Sequence, residues 1–140
     1  MLDRNSGTKT NVSTSICKME LKFEDVVYIH TVEDAEIEIP QINELNEHLR
    51  SLVEDKPCYL IVFPGIGSSS SQEARKYAAK QKGKNVIAEA IVINNLAIRL
   101  LANFYMKVNR PEQKIKLFSN EVSALAWINT IKESRITSQT

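Results

Sequence analysis

Apolar residues follow two different periods along this chain, and the change from one to the other predicts its strands and helices. Every second residue from Cys17 to Phe23 is apolar and charged residues lie between them, which is the pattern of a half-buried strand. A tight turn at Glu24–Asp25 leads into the apolar run Val26–Ile29. These two segments are therefore predicted to pair as a hairpin.

The remaining chain alternates helical and strand patterns. An apolar stripe at helical spacing starts after Pro40, and Lys56–Pro57 ends it. The fully apolar run Cys58–Phe63 is typical of a buried parallel strand. The later elements are a helix from Ser71 to Gly83, a strand Val86–Ile93, a helix Leu96–Val108, a strand Lys114–Phe118 and a helix after Ser119–Asn120. The predicted fold is α/β, a sheet of about five strands with four helices in the order β-β-α-β-α-β-α-β-α.

Two further predictions concern the third and the last predicted helix. Asn94–Asn95 interrupts the apolar pattern and offers a cap for the third helix. Trp127 is expected to be largely buried, packing the last helix onto the sheet near Leu117 and Leu101.

Length and composition indicate one domain with polar ends. The chain has 140 residues, enough for a core that needs neither metal nor disulfide. Residues 1–15 are predicted to be a disordered polar tail, 16–133 the domain and 134–140 a frayed end. No apolar run approaches about 20 residues and no leader pattern is seen. We therefore expect no membrane span. Cys17 and Cys58 are isolated and are expected to be buried free thiols, which indicates a reducing compartment, so the sequence predicts a cytoplasmic protein.

Charge is distributed unevenly although the net charge is only +1. Residues 1–70 contain 12 acidic and 6 basic residues, whereas residues 71–140 contain 5 acidic and 12 basic ones. The charged residues of the two halves form either solvated helix faces or a polarised surface that binds a protein partner or a second copy of the chain. Aromatic residues make up 6% of the chain and do not alternate with the basic residues, so no nucleic-acid partner is expected.

The Pro64–Ser71 loop is the most motif-like feature of the sequence. It joins a buried strand to a helix and contains Gly65, Gly67, Ser68, Ser69, Ser70 and Ser71. Amides at a helix start favour anions, so these residues form a candidate phosphorylation or anion-binding loop. A nucleotide-type phosphate loop is excluded because Ser68, not Lys, follows Gly67. The alternative is a plain turn in which Ser70 and Glu73 form a capping box.

No combination of residues indicates catalysis. His30 and His48 have no metal-ligand spacing and no neighbouring Ser or Cys nucleophile. The clustered carboxylates lie at an exposed helix start, without the burial that would raise the pKa of a catalytic acid. We expect no enzyme activity, no metal and no cofactor.

A second candidate site is a surface rather than a pocket. Basic and amphipathic side chains on the second and third predicted helices would suit contact with a protein. This candidate partner-binding surface comprises Arg75, Lys76, Arg99, Asn103, Tyr105 and Met106.

Several segments resemble the bacterial SpoIIAA-like domains, the STAS or anti-sigma-factor antagonist fold, and most closely its uncharacterised STAS/SEC14-like branch. The segments that carry the resemblance are Glu73–Tyr77, Ala90–Asn95, Arg99–Tyr105, Asn109–Pro111, Lys116–Phe118 and Ala124–Ile128. In anti-sigma-factor antagonists an Asp–Ser pair opens the second helix, and a partner kinase phosphorylates the Ser. Residues 67–72 read GSSSSQ here, so the hydroxyls are present and the Asp is absent.

Two functions follow as hypotheses. The first is a non-enzymatic, regulatory protein-interaction module that binds a partner or forms a homodimer. The alternative, implied by the SEC14-like resemblance, is a carrier of a small molecule or lipid in an apolar cavity. A cavity lined by Ile, Leu and Phe would favour the carrier, and an isologous apolar contact would favour the interaction module.

Overall fold

The computed structural model describes residues 10–81, 85–96, 98 and 114–139. Six strands and three helices have described bounds. The strands are β1 (Asn11–Ser13), β2 (Cys17–Lys22), β3 (Val26–Thr31), β4 (Cys58–Phe63), β5 (Val86–Val92) and β6 (Lys114–Phe118). The helices are α1 (Ile39–Val53), α2 (Gln72–Gln81) and α3 (Glu121–Gln139).

One mixed sheet contains all six strands in the order in which they occur along the chain. β1, β2 and β3 are antiparallel neighbours, and β3 to β6 are parallel. The predicted hairpin is confirmed, with Lys22 opposite Val26 across the turn. Phe23 and Glu24 in this turn have φ angles of 54° and 69°, and such positive angles match the twist of a tight hairpin connection.

The amino-terminal boundary predicted from the sequence is wrong for residues 11–13. They form β1, with Val12 opposite Met19 at the edge of β2. Sheet pairing uses backbone groups, so a polar segment can satisfy an edge strand without any apolar period. Val12 also packs against the core. At the other end, α3 continues to Gln139, beyond the predicted end at Glu133.

The predicted helix Leu96–Val108 lies mostly outside the described residues. Within them, Leu96 and Ile98 are helical, and the backbone N–H of Ile98 donates to the Asn95 side-chain oxygen at 3.1 Å. An Asn side chain that accepts from the third helical residue is an N-cap. The cap predicted at Asn94–Asn95 is therefore confirmed, at Asn95.

The helices cover both faces of the sheet. α1 and α2 connect successive parallel strands that advance in one direction, and right-handed connections then place both helices on the same face. The core on that face contains Met19, Val27, Ile29, Leu49, Leu52 and Leu60. α3 packs on the opposite face, where the core contains Val26, Tyr28, Tyr59, Ile61, Ala124, Ile128 and Ile131.

Trp127 differs from its prediction. It is half-buried, not largely buried, and its ring lies 5.5 Å from that of Phe118. The fully buried residues of α3 are Ala124 and Ile128. The helix face that packs on the sheet is therefore centred on Ile128, the residue after Trp127. Leu101 lies outside the described residues.

No helix in the described part of the chain combines the length and the apolar content needed to cross a membrane.

Candidate functional site

The Pro64–Ser71 loop is hydrogen-bonded along its length to the last residue of β3 and to the segment that follows β3. Gly65 N–H donates to Thr31 Oγ1 at 2.6 Å, and Asp34 N–H donates to the Ile66 carbonyl at 2.8 Å. Ser69 then exchanges two backbone hydrogen bonds, with Ala35 and Ile37, in a short parallel bridge. The loop is thus an extension of the sheet at the carboxyl ends of β3 and β4.

The two glycines permit this close pairing. A Cβ on Gly65 would lie 2.6 Å from the Thr31 carbonyl oxygen and closer still to that of Val32. Gly67 has a φ of 77°, and a Cβ there would collide with the Asp34 carboxylate. Both glycines therefore serve the contact between the two segments.

The serines of the loop have different partners. Ser71 Oγ accepts the Ala74 N–H at 3.0 Å and is the N-cap of α2, so the capping box predicted at Ser70 is wrong by one residue. Ser68 Oγ donates to the Gly65 carbonyl at 2.8 Å. The Ser69 side chain is exposed, and Ser70 is half-buried.

A carboxylate of the chain itself lies at the amino terminus of α2. Glu38 accepts the Ser71 hydroxyl at 2.6 Å and the Ser71 N–H at 3.2 Å. Glu38 is also the N-cap residue of α1, and its backbone N–H donates to the Gln41 side chain at 3.0 Å, so this residue joins the starts of the two helices. This is the position that an external anion would take at a helix amino terminus. Anion binding or phosphorylation of the loop remains a prediction from the sequence.

We expect Ser71→Ala to lower the free energy of unfolding by about 1 kcal/mol, because the N-cap of α2 is lost. Ser70→Ala is the matched control and should change it by less than about 0.5 kcal/mol. Urea denaturation of both variants checks the assignment. A larger loss for the Ser70 variant would contradict it.

A cavity of about 230 Å³ lies between the sheet and helices α1 and α2. Its walls are mainly aliphatic. The apolar residues that α1 presents to it are Ile42, Leu45 and Leu49, whereas those of α2 are only Ala74 and Ala78. The short alanine side chains leave space between α2 and the sheet that larger residues would fill. The sheet contributes Met19, Ile29, Leu60, Val62 and Val86, and Ile37 completes the apolar lining.

Five polar residues also line the cavity: Thr31, Asn46, Ser70, Arg75 and Glu89. The Arg75 guanidinium donates to the Ser70 carbonyl oxygen, which holds it beside the loop. Glu89 lies in the middle of β5 on the face of α1 and α2. The cavity therefore has an aliphatic wall that also carries one cationic and one anionic side chain.

The structure brings together some of the predicted site residues and separates others. Ser70 and Arg75 meet at the cavity, so Arg75 does not belong to a purely external surface. Lys76 is exposed and does not line the cavity. Arg99, Asn103, Tyr105 and Met106 lie outside the described residues.

Sequence reasoning missed Glu89, Asn46 and Thr31. A signal existed for Glu89, a charged residue flanked by Ala88 and Ala90 within the apolar run of β5. Charged residues are rare at such positions unless they are paired or functional. Asn46 and Thr31 lie in ordinary helix and strand patterns, so only the tertiary fold could reveal them.

The two cysteines belong to the core beside the cavity but do not line it. Both are free and buried, and neither is among the residues that line the cavity. Burial, with a smaller effect from Asp25, raises the pKa of Cys58 to about 12. Burial also raises the pKa of Cys17, although the Thr14 hydroxyl that donates to its sulfur opposes the shift. Thiols with such raised pKa values are poor nucleophiles at neutral pH.

Among residues 10–81, 85–96, 98 and 114–139, no three His, Cys, Asp or Glu side chains are grouped as a metal site would require.

The mixed sheet with its alternating helices is a SpoIIAA-like fold, which confirms the prediction from the sequence. A crystal structure of an uncharacterized protein of the DUF3478 family from Shewanella loihica PV-4, which has a SpoIIAA-like fold, matches with a TM-score of 0.56. The match covers 83% of this chain and 98% of that one at 14% sequence identity. Such an identity establishes the fold alone.

Residues 19–132 match the family model of a domain of unknown function, DUF7793, and the chain belongs to that family. No curated protein matches the chain.

Proposed function

We propose that this domain is a non-enzymatic binding module that holds a small, mainly apolar molecule between helices α1 and α2 and the sheet. The observation that supports it is the aliphatic cavity of about 230 Å³. Ligand sites commonly combine apolar walls with a few polar groups that orient the ligand. Ile and Leu dominate the lining, as the carrier hypothesis requires, although Phe is not part of the described lining.

The volume limits the kind of ligand. Cavities of about 150 Å³ accommodate benzene, whereas pockets for drug-sized molecules span about 300–1,000 Å³. The proposed ligand is therefore a single substituted ring or a short branched chain. A long-chain lipid would exceed this space, so the proposal narrows the carrier hypothesis to small molecules.

The proposed absence of enzyme activity rests on which side chains surround this space. Neither of the two histidines nor either of the two cysteines is among the residues that line the cavity. The free, buried cysteines also suit a protein of a reducing compartment, and we propose the cytoplasm.

The proposal predicts that filling the cavity abolishes ligand stabilisation. Saturating toluene should raise the melting temperature of the wild-type chain, because a ligand that binds only the folded state stabilises it. Ala78→Leu places a larger side chain at the cavity wall and should remove most of this increase. Ala79→Leu, the same change at a neighbouring position outside the lining, is the matched control and should keep it.

Thermal unfolding followed by circular dichroism measures both variants. An equal toluene response in the wild type and the Ala78 variant would contradict the proposal, and so would no response in any of the three proteins.

A regulatory protein-interaction module is the second candidate, and one observation favours it. Ile66 is 80% exposed and Val32 is 42% exposed, and both lie where the loop pairs with the segment after β3. Exposed aliphatic side chains at this end of the sheet suit contact with a protein partner or a second copy. This candidate would be supported if sedimentation velocity showed a dimer for the wild-type chain and a monomer for the Ile66→Ser variant.

A further inference from the structure

Resting on the proposed function, we infer that the ligand is an uncharged small molecule that carries both a hydrogen-bond donor and an acceptor, as an amide does, on a ring-sized apolar body. Arg75 and Glu89 are the groups that set this preference. The inference concerns the chemical class of the ligand, which the volume of the cavity alone does not determine.

The first step of the argument is the charge of the cavity wall. Arg75 contributes one positive charge and Glu89 one negative charge, while Asn46, Ser70 and Thr31 are neutral. A charged ligand would add an uncompensated charge to a largely aliphatic space, and burying such a charge is costly. A neutral ligand leaves the charges of the wall balanced.

The second step is the hydrogen-bonding capacity of the two charged groups. A guanidinium has five N–H donors, and a carboxylate has about four acceptor positions. Arg75 uses part of its capacity on the Ser70 carbonyl oxygen. In addition to the contacts that both groups have within the protein, the inference assigns a donor of Arg75 and an acceptor position of Glu89 to the ligand. An amide presents the complementary pair, a carbonyl oxygen and an N–H.

The third step is the supporting polar lining. Thr31 Oγ1 already accepts the Gly65 N–H at 2.6 Å, so the loop fixes the position of this hydroxyl. Asn46, which is half-buried on α1, supplies a side-chain amide that donates and accepts. Mixed donors and acceptors of this kind again favour a neutral polar group over an ion.

Four probes that share one phenyl ring and differ in its substituent separate the possibilities: toluene, benzamide, benzoate and benzylamine. Calorimetric titration of the full chain at neutral pH should show benzamide binding about tenfold or more tightly than each of the other three, a difference of about 1.4 kcal/mol. Benzoate or benzylamine as the tightest probe would overturn the inferred ligand class but leave the proposed function standing. Equal affinities for toluene and benzamide would also overturn the inferred chemical class of the ligand. Failure of all four to bind would overturn the proposed function itself.

Two charge variants test the assigned residues. Arg75→Gln leaves Glu89 as the charged group, so benzylamine should gain affinity relative to benzoate by about tenfold. Glu89→Gln leaves Arg75, so the order of these two probes should reverse. A purely structural role would weaken all probes together without reversing the order, and that result would overturn the assignment. The wild-type probe order decides the ligand class even if one variant does not fold.

Discussion

Gly65→Ala is expected to destabilise the protein by about 3 kcal/mol, because the added methyl group has no space. Its Cβ would meet the carbonyl oxygens of Thr31 and Val32. Both obstacles are backbone atoms, so a side-chain rotation cannot relieve the clash. The Gly65 N–H to Thr31 hydrogen bond would lengthen as the two segments separate.

Two other substitutions in the same loop serve as controls, and urea denaturation compares all three variants. Ser69→Ala changes an exposed side chain and should alter the free energy of unfolding by less than about 0.5 kcal/mol. Gly67→Ala should cost about 1–2 kcal/mol because of its positive φ, since the Asp34 side chain that its Cβ would meet can rotate away. A Gly65 variant as stable as the Ser69 variant would show that the loop is not packed against β3.

Ile128→Ala is the second substitution with a large expected effect. Ile128 is fully buried between α3 and the sheet, so the change removes apolar contacts and leaves a cavity, at a cost of about 2–5 kcal/mol. Val122→Ala on the same helix is the matched control, because Val122 is 79% exposed. The control should remain within about 0.5 kcal/mol of the wild type in urea denaturation. A comparable loss in both variants would contradict the packing of α3 described above.

Much of the fold follows from local patterns. The hairpin of β2 and β3, the buried strands β4 and β5 and the cap at Asn95 agree with their predictions because period, turn residues and caps act over a few residues. β1 was missed because its pairing with β2 depends on an available strand edge and not on an apolar period.

The site was harder to predict because it depends on contacts between distant segments. The Pro64–Ser71 loop was recognised, but the sequence does not reveal that its glycines permit close contact with residues 31–38. Similarly, Glu38 reaches Ser71 across 33 positions of the chain. Arg75 was identified as a surface residue because its helix pattern does not reveal the space that Ala74 and Ala78 leave beside it.

Binding in the cavity is the central claim, and methyl-resolved NMR during a toluene titration tests it most directly. Methyl signals of Ile29, Ile42 and Leu49, which line the cavity, should shift together and saturate with a single dissociation constant. Those of Ile61 and Ile128 belong to the core on the opposite face and should stay in place. Shifts confined to Val32 and Ile66, or no saturable shift of the cavity methyl groups, would contradict the claim.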